Sequence, residues 1–466
     1  EPVLIERGEV TKSVFADPDT HILEINSKTG LYPLYMAYTT YRYARQRFID
    51  KHTLARDLTR EEEQSIWDEV VSRNIFVICK TKMARSITRR TLIGFRDKVS
   101  TNLHAYDDLL NQVQNKKAQF IKSVCSPSSW NYKYVKSNDM LKFNAIVGNP
   151  PYQEMKSSEK TITNAAFATA IYPQFIDIAC SLKPKYVSMI TPSRWLNKVG
   201  QGISDEWVDK MIKGNHYIEL HDFLDATDCF EHVEIKGGVN YFLWSQEYTG
   251  TCHYVLRQDN QIIERTSVLD PIGAGVVIRD AMALSIIEKI SSVEGKYFNA
   301  KSFSSVVSPK HYFDRDDKLG SNWTGYSKKQ DSSHPIKYYL NRSLEECGYG
   351  WIDENDIPKG HSALPLHKVF IPKAGGSGKD QYILGQPIYG EPNSVCSYTY
   401  LVLGYDAREH NFTENECINM IKYIKSRFFR YMVSIKKKTQ DNPRDVFQFV
   451  PLQDFTAQSD IDWSKS

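Results

Sequence analysis

The chain has 466 residues, of which 41% are hydrophobic and 25% are charged, and its formal net charge is +3. This length allows two or three domains with a sizeable core, and the composition is typical of a soluble globular protein. No apolar run reaches the roughly 18 residues of a membrane span, which excludes an integral membrane protein. Because the net charge is nearly neutral, any nucleic-acid partner must be bound by local basic patches.

Eight cysteines are spread along the chain without a C-x-x-C pair or an accompanying histidine cluster. This pattern indicates buried thiols in a reducing compartment and excludes a zinc site or a disulfide framework. No secretion signal opens the chain, so we expect a cytoplasmic protein that holds no metal. The first residue is Glu1 and not a methionine, so we also expect this segment to belong to a longer polypeptide.

The first predicted element is a short buried strand over residues 20–25, which carries the acid Glu24 near its end. The turn Asn26–Gly30 follows, and then a helix from about Leu34 to Ile49. A strand, a glycine-containing turn and a helix form the first unit of a nucleotide-binding α/β sheet. The turn offers amide groups to a ligand carboxylate, and Glu24 could bind an ammonium or hydroxyl group. The same unit is also a common structural connector.

Helices and strands then alternate along the chain. We expect strands at 75–79, 145–147 and 186–190, and helical segments at 60–72, 82–124 and 165–182. This alternation predicts a parallel, doubly wound α/β sheet. Two further apolar runs, at 217–224 and 239–244, are interpreted as the hairpin-like closing strands of that sheet.

The strand at 145–147 ends in Asn149-Pro150-Pro151-Tyr152, the most informative residues of the chain. An adenine N6 amine is a poor nucleophile, because its lone pair is delocalised into the ring. Two hydrogen-bond acceptors could meet its two N–H groups: the Asn149 side-chain oxygen and the Pro150 carbonyl. These hydrogen bonds would favour a tetrahedral nitrogen. The prolines fix the backbone, and the Tyr152 ring would stack on a base rotated out of a duplex. A proline-stiffened turn explains only the prolines, so the pattern favours methyl transfer to an exocyclic amine.

Two features between residues 222 and 236 have weaker interpretations. Phe230 could form a second wall of the base pocket. An aromatic residue at the start of a strand is more often a core residue, and only the nearby motif makes the two interpretations equal. Glu234-Ile235-Lys236 has the shape of a metal-dependent nuclease site, with three acids upstream, Asp222, Asp225 and Asp228. We reject this segment as a nuclease site, because a match of three residues is weak and falls where the sheet should close. It stays a testable alternative, which would require magnesium-dependent cleavage that Glu234→Ala or Lys236→Ala abolishes.

The composition changes beyond about residue 260 and becomes rich in Ser, Lys, Tyr, Gly and Asp. We therefore expect a catalytic domain over 1–255, a linker helix region over 256–294 and a mixed α+β domain over 295–466. Within the last domain, Thr413 and Glu416 form the capping box of a helix over about 414–434.

Two basic segments of the C-terminal part are candidate DNA contacts. Gly375–Asp380 resembles a phosphate loop, but an aspartate stands where a hydroxyl residue is required, so Lys379 is assigned either to a phosphate contact or to a solvated loop. The run Lys436-Lys437-Lys438, with Arg427 nearby, could grip a DNA backbone. A solvated helix end explains that run equally well.

The order of these motifs resembles the gamma-type adenine-N6 DNA methyltransferases of restriction–modification systems. It is most similar to type IIG-like enzymes, in which methylase and specificity domains, and often a nuclease or helicase, share one polypeptide. The resemblance implies a Rossmann-like methyltransferase sheet that uses S-adenosylmethionine (SAM), followed by a DNA target-recognition domain. It also implies duplex DNA as the partner. A non-catalytic, methylase-like specificity module and a cytosine-N4 methyltransferase remain as alternatives.

The resemblance also assigns roles to individual residues. It implies catalysis by Asn149, Pro150, Pro151 and Tyr152, and stacking of the target base by Tyr152 and Phe230. The residues that it aligns with the family's cofactor site are Glu24, Asn26, Thr29, Gly30, Cys79 and Asp139.

Overall fold

The computed structural model describes residues 4–6, 9–11, 13–106, 108–130, 132–134, 139–154, 169–198, 200, 202–258, 261–271, 273, 275–294, 302–316, 318–320, 323–340, 348–375, 383–437 and 440–465. The chain folds into two compact units, Glu1–Val277 and Ile278–Ser466. Among the described residues, no helix is both long and apolar enough to cross a bilayer. The cysteines at 79, 125, 180, 229, 252, 396 and 417 carry free thiols.

The first unit contains thirteen strands and seven helices in its described part. The strands are β1 (Leu4–Glu6), β2 (Glu9–Thr11), β3 (Ile22–Ser27), β4 (Ile75–Cys79), β5 (Asn102–Ala105), β6 (Ala145–Gly148), β7 (Gln153–Glu154), β8 (Thr169–Ala170), β9 (Tyr186–Pro192), β10 (Tyr217–Phe223), β11 (Val239–Trp244), β12 (Cys252–Gln258) and β13 (Gln261–Ser267). The helices are α1 (Leu31–His52), α2 (Arg60–Asn74), α3 (Lys82–Ile93), α4 (Leu109–Asn115), α5 (Lys117–Val124), α6 (Tyr172–Ser181) and α7 (Asp205–Lys213).

Nine of these strands form one sheet in the order β13-β12-β10-β11-β9-β6-β3-β4-β5. β3 is parallel to both β4 and β6, while β11 and β13 run antiparallel to their neighbours. Every residue of β3 and β4 is buried, as expected for central strands that are covered on both faces. One face carries the core formed with α1, α2 and α3, and the other carries the core formed with α4 to α7. The predicted α/β sheet is therefore confirmed.

The topological switch point of this sheet lies between β3 and β6. From β3 the chain adds β4 and β5 on one side, and it then crosses to β6 and β9 on the other. Ligands of open α/β sheets bind at the carboxyl ends of the strands that flank such a point. The two strands approach closely there. If Gly148 carried a Cβ, that atom would lie only 2.7 Å from the Ile25 carbonyl oxygen.

Two parts of the first unit differ from the sequence-based expectation. The segment 82–124, expected to be mainly helical, contains the strand β5 between α3 and α4. The sheet also continues past residue 255 into β12 and β13, so the compact unit ends at Val277. β13 escapes recognition because it is an outer strand whose residues alternate between exposed and half-buried positions, with charged residues among them.

The second unit is a mixed α+β structure, as predicted. Its strands are β14 (Ile336–Tyr339), β15 (Tyr349–Ile352), β16 (Lys368–Pro372), β17 (Ile388–Gly390), β18 (Ser394–Cys396) and β19 (Tyr400–Leu403), and its helices are α8 (Ala281–Glu294), α9 (Glu414–Lys425) and α10 (Arg427–Lys436). The strands form two sheets, β15-β14-β18 and β17-β16-β19. The predicted capping box starts α9, but the helix expected over 414–434 is divided at Ser426, whose Oγ caps α10.

Candidate active site

Asn26 lies at the end of β3 and turns its side chain toward β6. Its φ is +77°, and the pairing with β4 shifts register between Ile25 and Ser27. Asparagine is one of the few non-glycine residues that tolerate such a backbone. The Asn26 side-chain Nδ2 donates to the backbone carbonyl of Asn149 at 2.8 Å. A partly buried hydrogen bond thus joins the first predicted motif to the second across the switch point.

The Asn-Pro-Pro-Tyr segment directly follows β6. Pro150 is buried, while Asn149 and Tyr152 are half-buried. The Tyr152 carbonyl accepts from the Ile171 amide at 3.2 Å, which fixes the end of the segment. The Tyr152 hydroxyl is buried without a hydrogen-bond partner among the described residues. Burial raises the pKa of Tyr152, and the nearby Tyr32 and Cys229 add to this effect, so the phenol stays neutral.

Glu24 is a buried acid in the central strand, with 2% of its surface exposed. Burial raises its pKa to about 7, although Ser27 and Lys28 act in the opposite direction. Its Oε2 and the Oδ1 of Asn26 both lack a hydrogen-bond partner in the described part of the chain. Buried acceptors without a donor are costly, so this pair marks a place where a ligand would supply donors.

The turn after β3 is held by α3. Gly30 has a φ of +80°, and a Cβ there would lie 2.9 Å from Thr88 Cα. Thr91 Oγ1 donates to the Thr29 carbonyl at 2.8 Å, and the Ser27 and Thr88 hydroxyls lie 3.3 Å apart. Gly30 is therefore required for packing against α3. Gly30 is also the N-cap residue of α1. Because glycine has no side chain to cap the helix, no capping side chain bonds the amide groups of the first helical turn.

Two residues aligned with the cofactor site differ in position: Cys79 ends β4 and pairs in register with Ser27, whereas Asp139 lies away from the switch point. Cys79 is fully buried in the core, and burial raises the pKa of its thiol to about 11. Asp139 is exposed and precedes the start of β6, close to Lys142, whose carbonyl is bonded to His21 just before β3. Asp139 is therefore at the amino edge of the sheet, opposite the switch point. The position of Asp139 contradicts its assignment, whereas the assignment of Cys79 stays a prediction.

The missed strand β5 explains the error at Asp139. β5 is parallel to β4, so its carboxyl end lies at the same edge as the ends of β3 and β6. The acid that follows it in the described chain is Asp108, whose carboxylate accepts from the Asn111 amide at 3.2 Å at the start of α4. The four-residue length and the polar Asn102 and His104 concealed this strand inside a helical pattern.

Phe230 lies in the loop between β10 and β11. It is half-buried and packs against Phe223, Ala226 and Val239. The preceding residue, Cys229, lies near enough to Tyr152 to raise its pKa. The structure thus brings this loop to the Asn-Pro-Pro-Tyr segment, whereas a stacking role for Phe230 stays a prediction.

The acids of the rejected nuclease interpretation are not gathered at one point. Asp222 is fully buried and accepts hydrogen bonds from Ser193 Oγ at 2.6 Å and from the Tyr254 hydroxyl at 2.7 Å. Glu234 and Lys236 are exposed in the following loop. In the described ranges, no three His, Cys, Asp or Glu side chains are arranged to hold a metal ion.

The predicted DNA-binding residues separate into several environments. Lys437 is fully buried, where its Nζ donates to the Gln440 carbonyl at 2.9 Å and to Asn442, so it is a structural residue and not a DNA contact. Lys436 donates to Gln448 at 2.6 Å and pairs with Asp445 at 3.4 Å. Arg427 is exposed at the start of α10. Lys379 and Lys438 lie outside the described residues.

An apolar cavity of about 460 Å³ lies beside Gly148 on the α1 face of the sheet. Its lining includes Tyr32 and Tyr35 of α1, Met189 of β9 and Tyr241 of β11. Tyr32 connects this cavity to the site, because its hydroxyl is close to Asn149 and Glu24, and burial raises its pKa. Its position in the first turn of α1, two residues after Gly30, is the sequence signal that could have identified it.

The hydrogen-bonding groups at the switch point fit the SAM that the resemblance implies. Glu24 Oε2 and Asn26 Oδ1, which lack partners among the described residues, would accept from the ammonium of its methionine part, and the first amides of α1 would meet its carboxylate. The end of β4 offers no acid to the ribose, since Cys79 is buried and Lys80 follows it.

Comparison with known proteins gives a family and a relative. Residues 73–230 match the family model described as Eco57I restriction-modification methylase. A protein of Mycoplasma pneumoniae (strain ATCC 29342 / M129 / Subtype 1), described as an uncharacterized adenine-specific methylase, is 39% identical over 118 residues. This alignment covers 25% of the chain and 27% of the relative, so the chain spans about a quarter of the relative's length.

Two solved structures align with most of the chain at low sequence identity. The type IIL restriction-modification enzyme MmeI in complex with DNA has a TM-score of 0.44 at 9% identity, covering 91% of this chain and 60% of that chain. The DrdV–DNA complex has a TM-score of 0.42 at 11% identity, covering 92% of this chain and 53% of that chain.

Proposed function

We propose that the chain methylates the N6 amine of adenine in duplex DNA, and the match of residues 73–230 to the Eco57I restriction-modification methylase model supports this proposal. The observation that carries this proposal is the position of Asn149-Pro150-Pro151-Tyr152 at the switch point, bonded to the turn that follows β3. A site for methyl transfer needs an amine-binding segment next to a cofactor-binding turn, and these two segments are the ones that meet.

Each residue of the segment has a separate task in the proposed reaction. The Asn149 side-chain oxygen and the Pro150 carbonyl accept hydrogen bonds from the two N–H groups of the amine, which frees the nitrogen lone pair. The Tyr152 ring stacks on the flipped base, and Phe230 forms the opposite wall. SAM, when bound, supplies an electrophilic methyl group. Approach and alignment supply most of the acceleration, and the methylated nitrogen can lose its proton to water, so no general base is assigned.

Glu24 and Asn26 hold the cofactor in this proposal. The Glu24 carboxylate pairs with the ammonium group of SAM, which would supply a donor to the buried Oε2, an atom without a partner among the described residues. Pairing with a cation favours the ionised form, so cofactor binding lowers the raised pKa of Glu24.

We further propose that the second unit, Ile278–Ser466, recognises the DNA sequence. The exposed Arg427 at the start of α10 is the described residue of the predicted basic set that remains available for a phosphate contact. We also propose nuclease or helicase domains as further partners of this enzyme.

The test is transfer of a labelled methyl group from SAM to mixed-sequence genomic duplex DNA, followed by nucleoside analysis. We expect label in N6-methyladenine, and no transfer by Asn149→Ala. The matched control is Asn115→Ala, because Asn115 is an exposed asparagine on α4. Label in N4-methylcytosine would instead assign the cytosine reaction, which the same four residues can serve. Folded protein that binds DNA and transfers no label would identify a non-catalytic specificity module.

A further inference from the structure

A second cavity, of about 470 Å³, opens at the ends of β10 and of the β12–β13 hairpin. It has no part in the cofactor and amine sites described above. Its lining combines two apolar side chains with two amides, one carboxylate and one guanidinium: Phe223, Ile262, Gln258, Gln261, Asp228 and Arg257.

The cavity lies at the same edge of the sheet as the Asn-Pro-Pro-Tyr segment. β10 and β12 are parallel, and Phe223 pairs in register with Arg257. β10 is antiparallel to β11, which is antiparallel to β9, so β10 points the same way as β9 and β6. The loop after β10 connects the two places, because Cys229 is close enough to both Arg257 and Tyr152 to interact electrostatically with them.

Arg257 is the polar group that this cavity presents most distinctly. Its guanidinium lies over the Phe223 ring, 5.3 Å from the centroid, and its Nε is buried without a hydrogen-bond partner among the described residues. A ring beneath the guanidinium fixes its plane at little cost in solvation and leaves its in-plane donors available. Planar donors of this kind bind phosphate oxygens in pairs.

We propose that Arg257 binds a phosphodiester group of the DNA strand that carries the target base. This proposal rests on the proposed function, and it adds a DNA contact within the catalytic unit. The exposed amide of Gln261 supplies a further donor at the rim. A nearby phosphate would hold the backbone while one nucleotide is rotated toward Tyr152, because rotation of a base requires its flanking phosphates to be fixed.

Mutation of Asp228 should change DNA affinity in the direction opposite to mutation of Arg257. Its exposed carboxylate lines the same cavity and would repel a phosphate. Removing the Arg257 charge should therefore weaken DNA binding, whereas removing the Asp228 charge should strengthen it. A purely structural role for this loop predicts no such pair of opposite effects.

The experiment measures the affinity of the full chain for sheared genomic duplex DNA as a function of salt concentration. For Arg257→Ala we expect about tenfold weaker binding at low salt, the size of one lost charge-assisted hydrogen-bond pair. Its slope of log affinity against log salt should fall by about 0.9, the value for one phosphate contact. Asp228→Asn should bind a few-fold more tightly, by roughly the size of one exposed charge interaction. The control is Lys142→Ala, because Lys142 is an exposed cation at the amino edge of the same sheet.

Several results would overturn the proposal. A wild-type salt slope for Arg257→Ala, weaker binding by Asp228→Asn, or an equal loss of slope for Lys142→Ala would each do so. Arg257→Lys keeps a cation over Phe223 and controls for folding, while Asp228→Asn alters only an exposed side chain. DNA binding is measured without methyl transfer, so the two proposals fail separately. If the wild type transfers methyl groups and the Arg257 and Asp228 variants bind DNA as the wild type does, only the phosphate site is ruled out. Wild-type protein that binds DNA with these salt effects and transfers nothing would remove the methyltransferase function alone.

Discussion

The side-chain amide of Asn26 donates to the backbone carbonyl of Asn149 at 2.8 Å, and the two residues are 123 positions apart in the chain. The bond fixes the backbone of Asn149, whose carboxamide lies near the hydroxyls of Tyr32 and Tyr152. It also orients Asn26 so that its own oxygen has no partner in the described part of the chain. One residue of the cofactor turn thereby sets the position of the residue that we propose binds the amine.

Replacement of Asn26 should reduce methyl transfer more than it reduces stability. Asn26→Gly keeps the positive φ and removes the hydrogen bond, so we expect transfer to fall on the order of tenfold, the cost of a lost hydrogen bond. Asn26→Ala adds backbone strain of about 1 kcal/mol or more. Single-turnover rates and thermal unfolding of both variants separate the two effects. Equal transfer rates for Asn26→Gly and wild type would contradict this role.

Cofactor binding should depend on pH through Glu24. Its pKa in the free protein is raised to about 7, and the ionised form is required to pair with an ammonium group. As pH falls below about 7, SAM affinity should fall about tenfold per pH unit, because binding must then release a proton. Glu24→Gln should bind weakly and independently of pH. Calorimetric titration between pH 5.5 and 8.5 checks this, and an unchanged pH profile in the variant would argue against the pairing.

The Glu24 pKa also has a consequence for stability without cofactor. Because the folded-state pKa is raised above its ordinary value of 4.5 to about 7, the folded protein binds a proton that the unfolded chain releases. The stability linked to this group is fully present at pH below about 4.5 and is lost as pH rises through 7. Saturating SAM should reduce that loss, and denaturant unfolding with and without the cofactor measures it.

Gly148→Ala should destabilise the first unit, because the new Cβ would lie 2.7 Å from the Ile25 carbonyl oxygen in the neighbouring strand. Overpacking of this kind costs roughly 1–3 kcal/mol. Gly348→Ala is the comparison variant, since no atom lies within 4 Å of its added Cβ. Denaturant midpoints of the two variants should differ clearly, and similar midpoints would show that β3 and β6 can separate without cost.

Tyr152 should act through its ring and not through its hydroxyl. The hydroxyl is buried without a described partner, so Tyr152→Phe should retain transfer and stability. Tyr152→Ala loses a stacking contact worth roughly 1–3 kcal/mol, so the ratio kcat/KM for DNA should fall by about five- to a hundredfold. Steady-state kinetics on one duplex measures both variants. A defect of similar size in Tyr152→Phe would assign the chemistry to the hydroxyl.

Mutation of Lys437 should reduce stability, whereas mutation of Arg427 should reduce the salt dependence of DNA binding. Lys437→Ala removes buried bonds to Gln440 and Asn442 and should destabilise the second unit by roughly 2–4 kcal/mol, with the salt slope of DNA binding unchanged. Arg427→Ala removes an exposed charge and should leave stability within about 0.5 kcal/mol while reducing the slope by about 0.9. Unfolding curves and salt titrations of the two variants distinguish these roles.

Buried, apolar strands made the fold predictable from the sequence. β3, β4, β6 and β9 are apolar runs bounded by turns, and the comparisons confirm the resemblance to adenine-specific restriction–modification methylases that the Asn-Pro-Pro-Tyr segment indicated. β5 was not predictable, because four residues, two of them polar, are too short a run to show the alternation of a strand between two helical segments. Side-chain direction was also inaccessible. Cys79 turns into the core at the end of β4, and Lys437 turns inward after α10, because tertiary packing decides which side of an element end is buried.

The contact between α3 and the turn at Gly30 sets a rule for building chimeras of this protein. Thr88 fills the space that a side chain on Gly30 would need, and Thr91 ties the Thr29 carbonyl to the same helix. A turn grafted from a relative with different residues would meet a helix shaped for this one. The turn and α3 therefore form one exchangeable module, and a graft that carries both is the one that should preserve the geometry at the switch point.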